Sequence, residues 1–549
     1  MVAGNQVFEW TLKITGSYLN IPVKTGSANA RFSIFLDGVW QTCFEVELGT
    51  RHDRDFIAFR NVEEYRDEIL SIRVEGDCLG GDPIEKVSLS DRPEGIEELY
   101  SEPHRPRIHF TTRRGWINDP NGLLYYGGKY HLFFQHNPFG TRWGNMHWGH
   151  AVSRDLVHWR EIGDALFPDS LGTIFSGSGV VDSDDTSGLR DGLHPPICLF
   201  YTAAGSHVDP GVLFSQCLAH STDGGVSWEK FQRNPIVPNI VGNNRDPRVL
   251  WHGPSSCWIM ALYLERVGEE QLYGLLKSAD LKRWEKFDEV RLPGSGECPD
   301  LFELGIDGGP GTRWVFWGAD GHYLLGDLDA SGFRENSGPH SFYNNGSGKR
   351  GNAYAAQTFS SMPNGDGRRI QMAWMQGDFE GMPFNQQMAF PIELELRTTG
   401  VGLRLCGRPA REISKLHGRH SKVEGMDLAG DLHLRDIAGG EPLHVAGTIS
   451  IERNSVLALA GGDFEVIFDC GMAEIRCLKR SAPLPFNATL QFEVLIDLAS
   501  IEVFAANGLV YMPLFRAPSS DPSSLVLSLK TGEASIENLD IWELESWWS

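Results

Sequence analysis

Ser153-Arg-Asp155-Leu-Val-His-Trp159 returns later in the chain as Ser221-Thr-Asp223-Gly-Gly-Val-Ser-Trp228, and again as Ser278-Ala-Asp280-Leu-Lys-Arg-Trp284. Each copy has the form Ser-x-Asp, a short turn, then Trp. A Ser/Asp turn followed by Trp on the returning strand is a hairpin unit, and the Trp needs a neighbouring unit to pack on. The Trp positions lie 69 and 56 residues apart, a spacing that suits propeller blades of four strands each. The surrounding region, 107–396, has about 290 residues and would hold five such blades. The competing reading is that Ser-Asp-Trp turns recur by chance in a β protein.

The flanks also read as strands. Within residues 1–100, Arg31-Phe-Ser-Ile-Phe-Leu-Asp-Gly38 ends in an Asp-Gly turn, and apolar residues near period two resume from Val39 to Leu48, a hairpin pattern. Lys86 to Pro106 carries charges and prolines with few apolar runs and reads as a linker. From 410 to 549, Gly-rich turns alternate with Phe464–Phe468, Leu490–Asp497, Ser500–Phe504 and Val510–Phe515. Asn507-Gly508 supplies a strong turn between the last two. Such a run without helical period reads as a β-sandwich. The fold class expected is all-β: an N-terminal β-sandwich-like module (1–100), a five-bladed propeller (107–396) and a C-terminal sandwich (410–549).

Composition agrees. The chain has 549 residues, 41% hydrophobic, with 62 Gly and 16 Trp, too long for one core and suited to β architecture. A net charge of -23 argues against a nucleic-acid partner, which needs basic patches. No stretch is long and apolar enough to read as a membrane span. The nine Cys, Cys78 among them, show no zinc spacing, and the His residues, such as His131, His136 and His147, show no ligand pattern. Neither a metal nor a cofactor is expected. The opening Met1–Gln6 has no signal-peptide character. As written the chain reads as cytoplasmic; it would be extracellular or periplasmic if a signal has been removed. Asn345-Gly-Ser and Asn487-Ala-Thr match the glycosylation pattern, which means little without a secretory context.

Three acidic motifs stand out. Trp116-Ile-Asn-Asp-Pro-Asn-Gly122 reads as a tight turn that presents Asp119 rigidly. Asn244-Arg-Asp-Pro-Arg248 reads as a turn with Arg245 and Asp246 as a surface pair, or as a site. Gly296-Glu-Cys-Pro-Asp300 reads as a solvated loop, or as a second carboxyl for catalysis. Glycoside hydrolysis needs two carboxyl groups on opposite duties. A propeller can bring Asp119, Asp246 and Glu297 to one end of its axis.

Together these motifs resemble glycoside hydrolase family 32, the invertase, inulinase and levanase family. Tyr130–Gln135, Trp143–His150, Phe175–Ser178, Tyr354–Phe359, Arg368–Trp374 and Ser500–Phe504 resemble it further. The resemblance implies a five-bladed propeller followed by a β-sandwich. It also implies a retaining mechanism with Asp119 as nucleophile and Glu297 as acid and then base. Asp246 would bind fructose hydroxyls and stabilise the transition state. Asn118, Gln135, Trp143, Phe175, Ser176, Arg245 and Trp374 match positions lining the fructose pocket. Glu297 is expected to hold its proton through partial burial and the charge of Asp119, while Asp119 stays ionised through hydrogen bonds from its turn. The segment Gly381–Pro391 resembles exo-inulinases and levanases more than plant invertases, so the substrate expected is a β-fructoside cut from the chain end. A fructosyltransferase sharing the covalent intermediate and a non-catalytic carbohydrate-binding protein are the rival readings. Oligomeric state is left open.

Overall fold

The computed structural model describes residues 5–77, 79, 81–343, 352–363, 365–434, 442–518 and 525–548; Cys78 and the Asn345 glycosylation match lie outside them. The chain is all-β. Between Gly115 and Pro409, five sheets of four or five strands follow one another in sequence. The first strands of these sheets are Gly115–Tyr126, Thr173–Val181, Arg245–His252, Asp300–Gly305 and Ala353–Thr358. Each touches the first strand of the next sheet, and the fifth returns to the first. The five sheets therefore close into a propeller ring, with these strands innermost.

The Ser-x-Asp…Trp repeat marks the same place in the first three sheets, the turn between third and fourth strands. In each copy the Asp carboxylate accepts backbone N–H groups across the turn: from His158 at 3.0 Å, from Ser227 at 3.0 Å and from Arg283 at 2.8 Å. The residue after each Asp has positive φ: Leu156 at 68°, Gly224 at 81° and Leu281 at 61°. Trp159 and Trp284 cap the turn by donating to the carbonyls of Leu156 and Leu281. The carboxylate thus offsets a backbone geometry that L-residues adopt at some cost.

Two parts of the expected layout shift. The fifth ring sheet includes Ile392–Thr399 and Gly402–Pro409, so the ring runs past residue 396. Its last strand follows a tight Thr-Gly turn and pairs back at once, so no linker separates them. The stretch 86–106 is only partly linker. Ser88–Ser90 pairs with Tyr18–Val23, and the buried Arg105 donates to Thr111, Thr112 and Arg113. Local composition could not show this, because the partners lie elsewhere in the chain.

The N-terminal part forms a four-stranded and a three-stranded sheet around Ile21, Phe32, Phe44, Ile72 and Val74. The expected hairpin is Asn29–Leu36 paired with Val39–Glu47 across Asp37-Gly38. The C-terminal part stacks two six-stranded sheets. Strand alternation decides what Thr489–Asp497 buries. Leu490, Phe492, Val494 and Ile496 enter the sandwich core. Leu495 faces the other way, with Phe504 and Tyr511, into the propeller's core. A buried polar joint fastens the same interface. Asp497 accepts the N–H groups of Arg107 and Ile108 at 3.0 Å, and the His109 ring bridges Asp497 at 2.8 Å and Glu502 at 2.7 Å. Every described cysteine is a free thiol.

Candidate active site

Four of the five innermost strands break register near their starts. Pairing jumps from Ile117 to Pro120, leaving Asn118 and Asp119 as the bulge. It jumps from Phe175 to Gly177 around Ser176, from Arg245 to Arg248 around Asp246 and Pro247, and from Tyr354 to Gln357 around Ala355 and Ala356. On the fourth sheet, Glu297 and Cys298 precede the strand with φ of 60° and 35°. Asp246 and Ala355 are also left-handed, at 66° and 52°. A bulge re-aims side chains, and left-handed non-glycine backbone costs of order 1 kcal/mol or more per residue. The fold holds these conformations in place: the Asp246 N–H donates to Thr202 Oγ1 at 2.9 Å, and the Tyr273 hydroxyl donates to the Glu297 carbonyl at 3.2 Å. Gly177 must be glycine, because a Cβ there would lie 1.9 Å from the Phe200 carbonyl oxygen.

The bulges bring two aspartates to the sulfur of Cys298, whose chain neighbour is Glu297. Cys298 Sγ lies 3.5 Å from Asp119 Oδ2 and 3.6 Å from Asp246 Oδ2. Ser176 Oγ donates to Asp119 Oδ2 at 2.5 Å, and the Cys298 N–H donates to Asp246 Oδ2 at 3.1 Å. Arg245 donates from Nη2 to Glu297 Oε1 at 2.8 Å and sits 3.9 Å from Asp246 Oδ2. The Tyr354 hydroxyl donates to Glu297 Oε2. Arg245 and Asp246 are therefore no surface pair: their side chains are 14% and 6% exposed, and Glu297, at 36%, is the open member of the cluster.

Burial pushes the Asp119 carboxyl up. Hydrogen bonds from Ser176 and Asn118 pull it back down, and the charge of Glu297 pushes it further up. The expected tight turn is instead a bulge within the strand Gly115–Tyr126: Asn118 donates from that bulge and Ser176 from the neighbouring strand, and burial outweighs both, so the carboxyl is raised overall. Burial also pushes Asp246 up to about 7, opposed by Arg245 and assisted by Glu297 and Asp119. Asp246 thus holds a proton more readily than an ordinary carboxyl, because burial and two neighbouring carboxyls outweigh the Arg245 guanidinium. Burial holds the Cys298 thiol well above its ordinary value. It stays an S–H that can donate to either aspartate.

The other expected residues surround this cluster. Asn118 Oδ1 accepts from Trp116 Nε1 at 2.9 Å. Gln135, 2% exposed, lies in register opposite the Asn118–Asp119 bulge, between the His136 and Phe134 pairings. Its Nε2 is buried without a hydrogen-bond partner, the kind of donor that a ligand oxygen would satisfy. Trp374 packs edge-on to Trp116 and Tyr354, and Gln386 accepts from its Nε1 at 3.0 Å. Trp143, 49% exposed, meets Phe175 edge-on with ring centroids 5.8 Å apart. The sequence reading gave no role to Tyr354, Thr202 or Gln386. Only Tyr354 had a visible signal: it lies near the start of the fifth inner strand, in the Tyr354–Phe359 segment. Asp300 and Arg248, from the same two motifs, form a buried ion pair at 2.8 Å and bind Thr358. They tie three inner strands together beneath the site.

Among the described residues, no group of three or more His, Cys, Asp or Glu could hold a metal ion. Residues 109–408 match the family described as Glycosyl hydrolases family 32 N-terminal domain. The levanase of Bacillus subtilis is 32% identical over 82% of this chain and 72% of its own length. An extracellular exo-inulinase of Aspergillus niger is 28% identical over 82% of this chain and 96% of its own. Among solved structures, the exo-inulinase of Aspergillus awamori has a TM-score of 0.71 at 26% identity, covering 82% of this chain and 100% of that one. A fructofuranosidase from Schwanniomyces occidentalis complexed with fructose gives 0.72 at 25%, covering 81% and 99%.

Proposed function

Because the chain belongs to glycosyl hydrolase family 32, we propose that this site is that of a β-fructosidase releasing terminal fructose from fructans, fructo-oligosaccharides and sucrose. The observation that carries the reading is the convergence of Asp119 and Asp246, from two inner strands, and Glu297, from the segment before a third, around Cys298 and Arg245. The relatives named above point to the same substrates.

In this reading Asp119, deep in the site, attacks the anomeric carbon of a bound fructosyl unit and forms an ester. Glu297, at the open edge, gives a proton to the departing oxygen, so the leaving group exits toward solvent. With the Asp119 charge consumed in the ester, Glu297 takes a proton from water. That water adds to the anomeric carbon and restores Asp119. Asp246 lies within reach of sugar hydroxyls, and with its proton affinity near neutrality it can accept or donate. Asn118, Gln135, Trp143, Phe175, Ser176, Arg245 and Trp374 line the fructosyl pocket. The retaining course requires carboxyl groups about 5–5.5 Å apart. Oriented buried donors, rather than acidity alone, supply the stabilisation.

The same reading takes the five ring sheets as five blades, extended to Pro409. Residues 1–100 form an added module, and the chain from 410 forms a sandwich that braces the ring. Chromatography of products from sucrose, inulin and levan tests the assignment. Free fructose as the first product supports it. Longer oligosaccharides first would mean endo action, transfer products would mean a fructosyltransferase, and no turnover would mean a binding protein.

A further inference from the structure

A cavity of about 510 Å³ lies where the N-terminal module meets the propeller, and Trp143 and His207 form part of its wall. The opposite wall comes from the N-terminal strands Asn29–Leu36 and Val39–Glu47: Asn29, Arg31, Glu45 and Glu47. Residues 109–408 match the family, so this wall is built outside the matched segment.

A line of ring contacts runs from the cavity wall toward the reaction centre. Trp143 meets Phe175 edge-on at 5.8 Å, and Phe175 precedes Ser176, which bonds Asp119. The junction is built rather than incidental. Phe139, from the loop that leads to Trp143, belongs to the N-terminal module's core and stacks on Phe44 with centroids 4.0 Å apart. The Asn145 side chain bonds the backbone of Glu45 in both directions, at 2.8 and 2.7 Å. The loop carrying Trp143 is thus clamped by the module at both ends.

The chemistry of the lining selects a class of ligand. Two carboxylates, Glu45 and Glu47, face two guanidinium groups, Arg31 and Arg142, so the walls carry no net charge and favour neither anion nor cation. Asn29 donates to Glu45 at 2.7 Å, and Arg142 pairs with Glu47 at 3.4 Å. Planar polar groups held in this way, beside an exposed indole, suit a neutral polyhydroxylated chain. The volume is in the range of small-ligand sites, on the side of Trp143 away from Phe175 and the proposed fructosyl pocket.

We propose that this cavity binds the fructan chain beyond the terminal unit, and that the N-terminal module thereby sets preference for long substrates over sucrose. The proposal rests on the β-fructosidase reading. The test uses the full chain with Asn29→Ala plus Arg31→Ala, and separately Glu45→Gln, which keeps the backbone bonds to Asn145. kcat/KM is measured on sucrose, inulin and levan. The expected result is a loss of about tenfold on at least one polymer, from two lost polar contacts, with sucrose turnover and melting temperature unchanged. Equal losses on sucrose and polymers, or unchanged polymer turnover, overturn the proposal. Calorimetric binding of a fructo-oligosaccharide to Asp119→Asn, with and without Arg31→Ala, gives a readout independent of turnover; equal affinity in the two proteins also overturns it. If the unaltered protein cleaves neither sucrose nor fructan, the β-fructosidase reading itself falls, and this inference with it.

Discussion

Replacing Ser176 by Ala probes Asp119, the proposed nucleophile, without altering that residue. Ser176 Oγ donates to Asp119 Oδ2 at 2.5 Å in a buried setting, and a hydrogen bond to a charged group is worth about 1.5–3 kcal/mol. It stabilises the ionised carboxylate, against a burial that pushes the Asp119 carboxyl up. Without it, ionised Asp119 is harder to form. Attack requires that form, so activity is lost as pH falls through the titration of the cluster. In Ser176→Ala this acid limb moves toward higher pH. At about 1.36 kcal/mol per pH unit, the shift is about one unit, since Cys298 and Asn118 still donate. On the limb, kcat/KM falls about tenfold. At higher pH the loss is smaller, because a less stabilised carboxylate is also a better nucleophile. The assay is kcat/KM on sucrose across the acid range, with Ser176→Thr, which keeps the hydroxyl, as the rescue variant. A uniform drop with an unmoved limb would refute the reasoning, because Ser176 would then act through packing or sugar contact and not through the Asp119 charge.

Three further outcomes follow from the same coordinates. Asp119→Asn should abolish nearly all turnover while circular dichroism and melting stay close to those of the unaltered protein. Asp300→Asn should lower the melting temperature measurably, because it strands the buried Arg248 charge, a loss of about 3–5 kcal/mol; an unchanged melt would contradict this. Burial alone would lower the pKa of His109, but Asp497 and Glu502 raise it from 6.5 to about 9. Its raised folded value means the stabilisation is complete below pH 6.5 and is lost as pH rises through 9, about 3 kcal/mol in all. Stability measured against pH should therefore decline across that window, and His109→Gln should flatten the decline.

The parts legible in the sequence are those whose signal is local. The Ser-x-Asp…Trp copies report one turn of successive sheets because the Asp carboxylate satisfies its own turn. Asp119, Asp246 and Glu297 stand in short motifs with strong residue preferences, although the first two motifs, read as turns, are bulges within strands. The features that were not legible depend on register between distant segments. The bulges around Asn118, Ser176, Asp246 and Ala355 exist because the neighbouring strand lacks a matching residue, and single-strand patterns carry no trace of that. For Arg245–Asp246 the motif alone left a surface pair and a site both open; the contact that decides between them, from Arg245 to Glu297, lies 52 residues on. The linker reading failed at Ser88–Ser90 because three residues pairing with a remote strand have no periodicity to display.

The central claim is that Asp119 bonds covalently to the fructosyl unit while Glu297 handles the proton. Glu297→Gln, given a β-fructosyl fluoride whose leaving group needs no acid, should form the ester and then stall for lack of a base. Intact-protein mass spectrometry should show one added fructosyl unit, and peptide mapping should place it on Asp119. Consumption of the fluoride with no adduct, or an adduct on another residue, would contradict the account.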